Sequence, residues 1–315
     1  MKIVDVHTHM LSHEYLELLA EPYTLVDGMV HRGGAPFLTL TPAMFDYDLR
    51  LAAMDAAGVD TAIVSLTCPS VYWGGEELSL RAARLVNDQM AARSGDRIRF
   101  LATLPWQYPD LAVAELKRAV DAGAVGVMVL ANIDGASLTD PRFTPVWEAV
   151  DLLGLPVLVH PTTPPGVELM DMGRYHLAWS AGFTFDTTLA LSRMILDGFF
   201  DRYTQLKIIA GHAGGYLPFL MGRLDVGHRT WESARAAIAE RPSGYTDRIY
   251  VDSIVYDPRA LDLTVSVFGA DNVLYGSDFP HKNGHMEEII DLVRGLPGNQ
   301  AERILGGNAE RIFRL

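Results

Sequence analysis
Short runs of apolar, mostly β-branched residues recur along the chain, and most lead into a longer stretch with helical periodicity. The runs cover residues 3–6, 61–66, 98–104, 125–130, 156–159, 207–210, 249–251 and 272–275. Two of them, Ala-Ile-Val-Ser-Leu and Val-Gly-Val-Met-Val-Leu, show no polar alternation, which marks strands buried on both faces. Helices are predicted over 48–57, 77–94, 110–122, 145–153, 187–197, 217–239, 258–268 and 285–294. Strands alternating with helices at this frequency pair in parallel. Eight such units close into one α/β domain over residues 1–315, a (β/α)8 TIM barrel, whose chemistry sits at the carboxyl ends of the strands. Residues 11–46 are too many for an ordinary connection after the first strand. They are expected to form an inserted lid or binding segment. A second long connection, 161–186, carries Arg174, His176 and Trp179.

Composition narrows the function classes. The chain has 315 residues, 49% hydrophobic and 21% charged, as expected of a globular protein with a sizeable core. Its formal net charge of −13 argues against a nucleic-acid partner, which would need a basic face. Cys68 is the single cysteine, so neither an intrachain disulfide nor a thiolate metal cluster can form, and a small buried residue is its expected role. No apolar run reaches the roughly 20 residues that span a bilayer, so no membrane partner is expected. The first strand follows the start of the chain with no basic or apolar leader, and a cytoplasmic location is the expectation.

The candidate chemistry lies at strand ends. In Val-Asp-Val-His7-Thr-His9 the two imidazoles fall on alternate residues, and on an extended backbone they point to the same face. Such a pair suits zinc and its first-row neighbours. Taken alone it reads equally well as two ordinary histidines. Strand five ends in Leu-Val-His160-Pro, strand six in Ala-Gly-His212-Ala-Gly-Gly, and strand eight in Tyr-Gly-Ser-Asp278-Phe-Pro. Four histidines and an aspartate at the ends of four strands of one barrel favour a shared site. His7, His9, His160 and Asp278 are therefore the expected ligands of one divalent metal, with His212 beside them as acid/base.

The motifs His7-Thr-His9, His160-Pro, Gly211-His212-Ala-Gly-Gly and Gly276-Ser-Asp278-Phe-Pro resemble those of the amidohydrolase superfamily. The resemblance is to the amidohydrolase-2 branch, which includes aminocarboxymuconate-semialdehyde decarboxylase and the resorcylate and salicylate decarboxylases, and it spans essentially the whole chain. Met54-Asp-Ala-Ala-Gly-Val-Asp60, Phe219-Leu-Met-Gly-Arg223-Leu-Asp225 and Gly307-Asn308-Ala are similar to the branch as well. The resemblance implies zinc, since His-x-His members usually hold zinc, whereas members with Glu in place of the first His favour manganese; manganese is the alternative here. Relatives with two metals need a carboxylated lysine on strand four. Residues 125–130 contain none, so one metal per chain is expected. The resemblance also implies a homodimer, with Arg223 matching an arginine donated to the partner's site, or else serving only as an interface salt bridge. The semialdehyde enzyme holds its substrate with another arginine in the long first loop. Here residues 37–40 are apolar at that place, which points to an aromatic or less charged acid.

A metal with three imidazoles and one carboxylate keeps a position for water or substrate and lowers the pKa of bound water. An imidazole can accept or supply a proton near neutral pH, which suits His212. The leading expectation is a metal-dependent decarboxylase of an unsaturated or aromatic carboxylic acid, with Asp278 as proton donor in the aromatic route. A hydrolase or hydratase of a lactone or enol acid is the alternative, and a non-catalytic barrel is a third. Trp179 and His281 are candidate substrate contacts with Arg223, and His176 and Arg174 are candidates for the entrance. Trp73 and Trp106 serve either as ring-packing surfaces or as core.

Overall fold
The computed structural model describes residues 2–164 and 166–315. Eight parallel strands run β1 (Val4–His9), β2 (Thr61–Ser65), β3 (Ile98–Thr103), β4 (Gly126–Leu130), β5 (Pro156–His160), β6 (Lys207–Ala210), β7 (Ile249–Asp252) and β8 (Val273–Leu274), neighbours in chain order throughout. The ring closes where Val6 N–H donates to the Tyr275 carbonyl at 3.0 Å and Asp278 N–H donates to the His7 carbonyl at 2.9 Å. The α/β TIM barrel expected from the alternation is the observed architecture. All five residues of β4 are buried, as a strand covered on both faces requires.

The surrounding helices are α1 (Tyr47–Ala57), α2 (Gly75–Ala91), α3 (Pro109–Asp121), α4 (Thr144–Leu153), α5 (Thr184–Leu196), α6 (Leu217–Thr230), α7 (Pro258–Phe268) and α8 (Met286–Arg294). Asp46 starts α1 by accepting from the N–H groups of Asp48 and Leu49 at 2.8 and 3.2 Å, satisfying donors the helix leaves unpaired. Outside the ring of strands, Trp147 joins Trp106 at 4.6 Å and Phe199 at 4.9 Å between ring centroids, filling the helix–strand layer.

The structure departs from the sequence expectation most clearly in three places. Strand one continues past Val6 to His9, so both imidazoles belong to the strand itself. Helix α6 stops at Thr230, not at 239, because Trp231 turns to an extended conformation (φ −115°, ψ 129°). The alanine-rich stretch that follows has helical propensity, but no further turn of α6 forms there. The insertion after strand one contains an antiparallel meander, Tyr23–Val26, Met29–Arg32 and Ala35–Thr39, besides the short helix His13–Glu17. It folds back so that Phe37, Leu38 and Thr39 face the carboxyl end of the barrel. Among the described residues no helix is long and apolar enough to cross a membrane.

Candidate metal centre
The alternation of β1 sorts its side chains. His7 and His9 point into the barrel, while Thr8 between them points away, accepting from Arg50 Nη1 at 2.6 Å and donating to the Phe279 carbonyl at 2.7 Å. His160 arrives from the end of β5 and Asp278 from the turn after β8. All four are buried, and one potential ligand atom from each lies within 4.8 Å of every other. Gly276 makes room for this convergence, since a Cβ there would lie 2.9 Å from that of His7.

Hydrogen bonds assign the tautomers. His7 Nδ1–H donates to Asp252 Oδ2 at 2.6 Å, and His160 Nδ1–H donates to the Pro161 carbonyl at 2.7 Å. His9 Nδ1 meets Ser65 Oγ at 3.1 Å, and that hydroxyl gives its own proton to the Thr8 carbonyl. With each Nδ1 engaged as a donor, each Nε2 presents a lone pair to the centre. His7 Nε2, His9 Nε2 and Asp278 Oδ1 are buried without hydrogen-bond partners. Such acceptors, crowded together away from water, carry a cost that a cation removes.

At His7 burial works against the charged ring, but the hydrogen bond and charge of Asp252, with Asp278, outweigh it and raise the imidazole above its ordinary value, so the pocket favours positive charge at that place. The other two imidazoles are held neutral. Burial pushes His9 down to about 3, and burial with the neighbouring imidazoles holds His160 well below its ordinary value, so both are neutral ligands at neutral pH. Burial works against the Asp278 carboxylate, but the imidazoles of His281, His212 and His9 outweigh it and hold the carboxyl well below the usual range. Atoms bound to one cation at about 2.1 Å are at most about 4.2 Å apart. From separations of up to 4.8 Å the set contracts by about 0.6 Å to reach that limit, and by more for the roughly 3.4 Å spacing of a tetrahedral site. The residues fit one divalent metal.

His212 stands beside this group, its Nε2 3.7 Å from Asp278 Oδ2 and its Nδ1 without a partner. Its backbone is held in a left-handed turn (φ 52°) by Asp252, whose two oxygens accept from the N–H groups of His212 and Ala213 at 2.8 and 2.9 Å. Asp252 therefore orients both His7 and His212, a role the sequence reading missed. The signal was present, since Asp252 ends an apolar strand run as His160 does. Arg50 was missed too. It is fully buried, donates to Thr8 Oγ1, the His9 carbonyl and Met10 Sδ, and fixes the end of β1.

Above the ligands opens a cavity of about 410 Å³. Phe37, Leu38, Trp179 and Phe183 give it apolar walls, with His160, His212 and Asp278 at the ligand end. Trp179 and His281 line it, His281 Nε2 meeting Thr67 Oγ1 at 3.1 Å. His176 lines it as well. Lys282 and Asn283 are lining residues that the sequence did not single out. Arg223 does not line it but lies exposed on α6, and Arg174 covers the ring of Tyr175. Trp73 and Trp106 are core, and Cys68 is a buried thiol pushed up to about 12 by burial.

Known proteins are similar to this chain over nearly its whole length. The amidohydrolase family pattern matches residues 4–315. A gamma-resorcylate decarboxylase of Rhizobium radiobacter is 32% identical over 95% of this chain and 97% of its own. A 2-amino-3-carboxymuconate-6-semialdehyde decarboxylase of Dictyostelium discoideum is 29% identical over 97% of this chain and 90% of its own. The crystal structure of a dihydroxybenzoic acid decarboxylase from a Polaromonas species, with bound manganese and the inhibitor 2-nitroresorcinol, superposes with a TM-score of 0.80. It is 26% identical and covers 100% of this chain and 97% of that one. By pattern, length and fold, the chain belongs to the amidohydrolase family.

Proposed function
We propose that this protein is a metal-dependent decarboxylase, a carbon–carbon lyase acting on an aromatic carboxylic acid. One observation carries the reading: a single cavity joins the His7, His9, His160 and Asp278 ligand set and His212 to apolar walls suited to a ring. Phe37 and Leu38, on the segment where the resemblance implies an arginine for a more highly charged muconate, give the cavity apolar surface instead. The similar proteins named above are decarboxylases, which favours loss of carbon dioxide over hydrolysis or hydration.

A divalent cation held by His7, His9, His160 and Asp278 would supply a Lewis acid beside the substrate's carboxylate. The residues do the rest. Phe37, Trp179 and Phe183 hold the ring and exclude water. The bond from the ring carbon to the carboxyl group breaks, carbon dioxide leaves, and the electron pair left on carbon takes a proton. His212 carries that proton, and Asp278 Oδ2, 3.7 Å from its Nε2, is the atom through which it reaches the ring.

Three imidazoles and one carboxylate favour zinc, with manganese the competitor. The test is product mass after incubating zinc-loaded and manganese-loaded protein with hydroxybenzoates, carboxymuconates, unsaturated lactones and enol acids. Loss of carbon dioxide from a hydroxybenzoate, fastest with zinc, is the expected result. Gain of water with all carbon retained would transfer the protein to the hydratase and hydrolase reading, and a faster manganese form would replace the metal.

A homodimer through α6 belongs to the same proposal. Tyr216, Phe219, Arg223 and Val226 recur at helical spacing, and all four are exposed. Tyr216 Oη donates to the Ala181 carbonyl at 3.1 Å, joining this face to the connection that walls the cavity. Sedimentation should give twice the chain mass at micromolar concentration. A monomer mass independent of concentration would rule the dimer out.

A further inference from the structure
The turn after β8 returns on itself. Asp278 takes a left-handed conformation (φ 58°), His281 N–H donates back to its carbonyl at 3.1 Å, and Gly284 N–H donates to the His281 carbonyl at 2.9 Å. Gly284 packs so closely on the Asp278 carbonyl that a side chain there would collide with it. The loop thereby brings Asn283 over the aspartate, where its Nδ2 donates to Asp278 Oδ2 at 2.8 Å. Asn283 is itself fastened by Tyr256, whose hydroxyl donates to the Asn283 carbonyl at 3.2 Å.

The two carboxylate oxygens have different surroundings. Oδ1 lies 3.3 Å from His9 Nε2 and 3.7 Å from His7 Nε2, buried and without a hydrogen bond. Oδ2 accepts from Asn283 and faces His212 Nε2 at 3.7 Å. A carboxylate free to rotate about χ2 could exchange the two or turn both toward a cation. We propose that Asn283 is the positioning residue that sets this orientation, leaving Oδ1 alone to the metal and Oδ2 to the proton path of His212. One ligand atom from Asp278 in place of two leaves the cation a further position for substrate. The inference rests on the metal-centre reading above and adds to it a residue at the cavity wall that acts through Asp278 rather than on the metal.

The test uses cobalt as a visible probe of coordination in the purified, metal-exchanged protein. Asn283→Leu and Asn283→Asp both remove the donor but differ in charge, and Asn283→Gln keeps an amide. Loss of the donor should shift the band positions and intensity of the cobalt spectrum in both donor-less variants. It should also lower kcat about 10- to 100-fold, the range seen when outer partners of a metal site are removed. KM should change less than about threefold and the melting temperature by less than about 2 °C, while Asn283→Gln recovers part of both signals. Cobalt spectra and kcat like those of the unaltered protein in Leu and Asp variants would overturn the inference while leaving the metal centre standing. So would equal loss in all three variants together with a lower melting temperature, which would make Asn283 a packing residue. If the unaltered protein took up no cobalt, the metal-centre reading and this inference would fall together.

Discussion

His212→Ala should keep the metal at one per chain and lose about 10²- to 10⁴-fold in kcat, the contribution typical of a positioned acid/base. The structure separates this imidazole from the four ligands. Its Nε2 lies 3.7 Å from Asp278 Oδ2, beyond hydrogen-bond distance, and its Nδ1 has no partner, so removing the ring breaks no hydrogen bond. Its backbone contributes more to order than its side chain, because the N–H groups of His212 and Ala213 hold Asp252, which holds His7. Those bonds survive in the variant. Ala213 already adopts the same left-handed conformation (φ 55°), so an alanine at 212 adds no new backbone conflict. Metal content by elemental analysis, read beside kcat on the best substrate, checks the division of roles. If the site emptied along with the activity, His212 would belong with the ligands; if turnover were unchanged, the proton would travel by another group.

The barrel and the centre of the site were legible for the same reason. A parallel strand buried on both faces needs an unbroken apolar run, and a polar residue closing such a run stands out against it. His7 and His160 announce themselves this way, His9 follows one alternation further along the same strand, and Asp278 comes after a Gly-Ser step. What escaped was set by contacts between distant segments. Arg50 reads as a solvent-facing residue of an amphipathic helix, and only the meeting of α1 with the end of β1 buries it. Asn283 has no sequence context that marks it, because its role depends on a turn that folds back onto Asp278. Asp252 lay one residue beyond the predicted end of strand seven and could have been found by extending each apolar run to its first polar residue. The meander in the first insertion is built from strands of four or five residues with mixed patterning, too short to declare a period.

His160→Ala should lower bound metal well below one per chain and abolish turnover. The reasoning begins with the donor set. Three lone pairs and a carboxylate converge where water is excluded, and His160 is the single ligand brought by β5. Deleting it leaves two imidazoles from one strand and one carboxylate, with a void in place of the fourth donor. Loss of an outer partner of a metal ligand already costs about 10- to 100-fold in affinity, so loss of a ligand should cost more than about 100-fold. Stability should register the same change. A metal that binds the folded chain alone stabilises it by about 2.7 kcal/mol at a concentration 100 times its Kd, so chelation should lower the melting temperature of the unaltered protein by several degrees. The variant, having little metal to lose, should melt at the same temperature with and without chelator. A chelator effect of equal size in both proteins would place the metal elsewhere. Full activity in the unaltered protein after exhaustive chelation would remove metal dependence from the mechanism altogether.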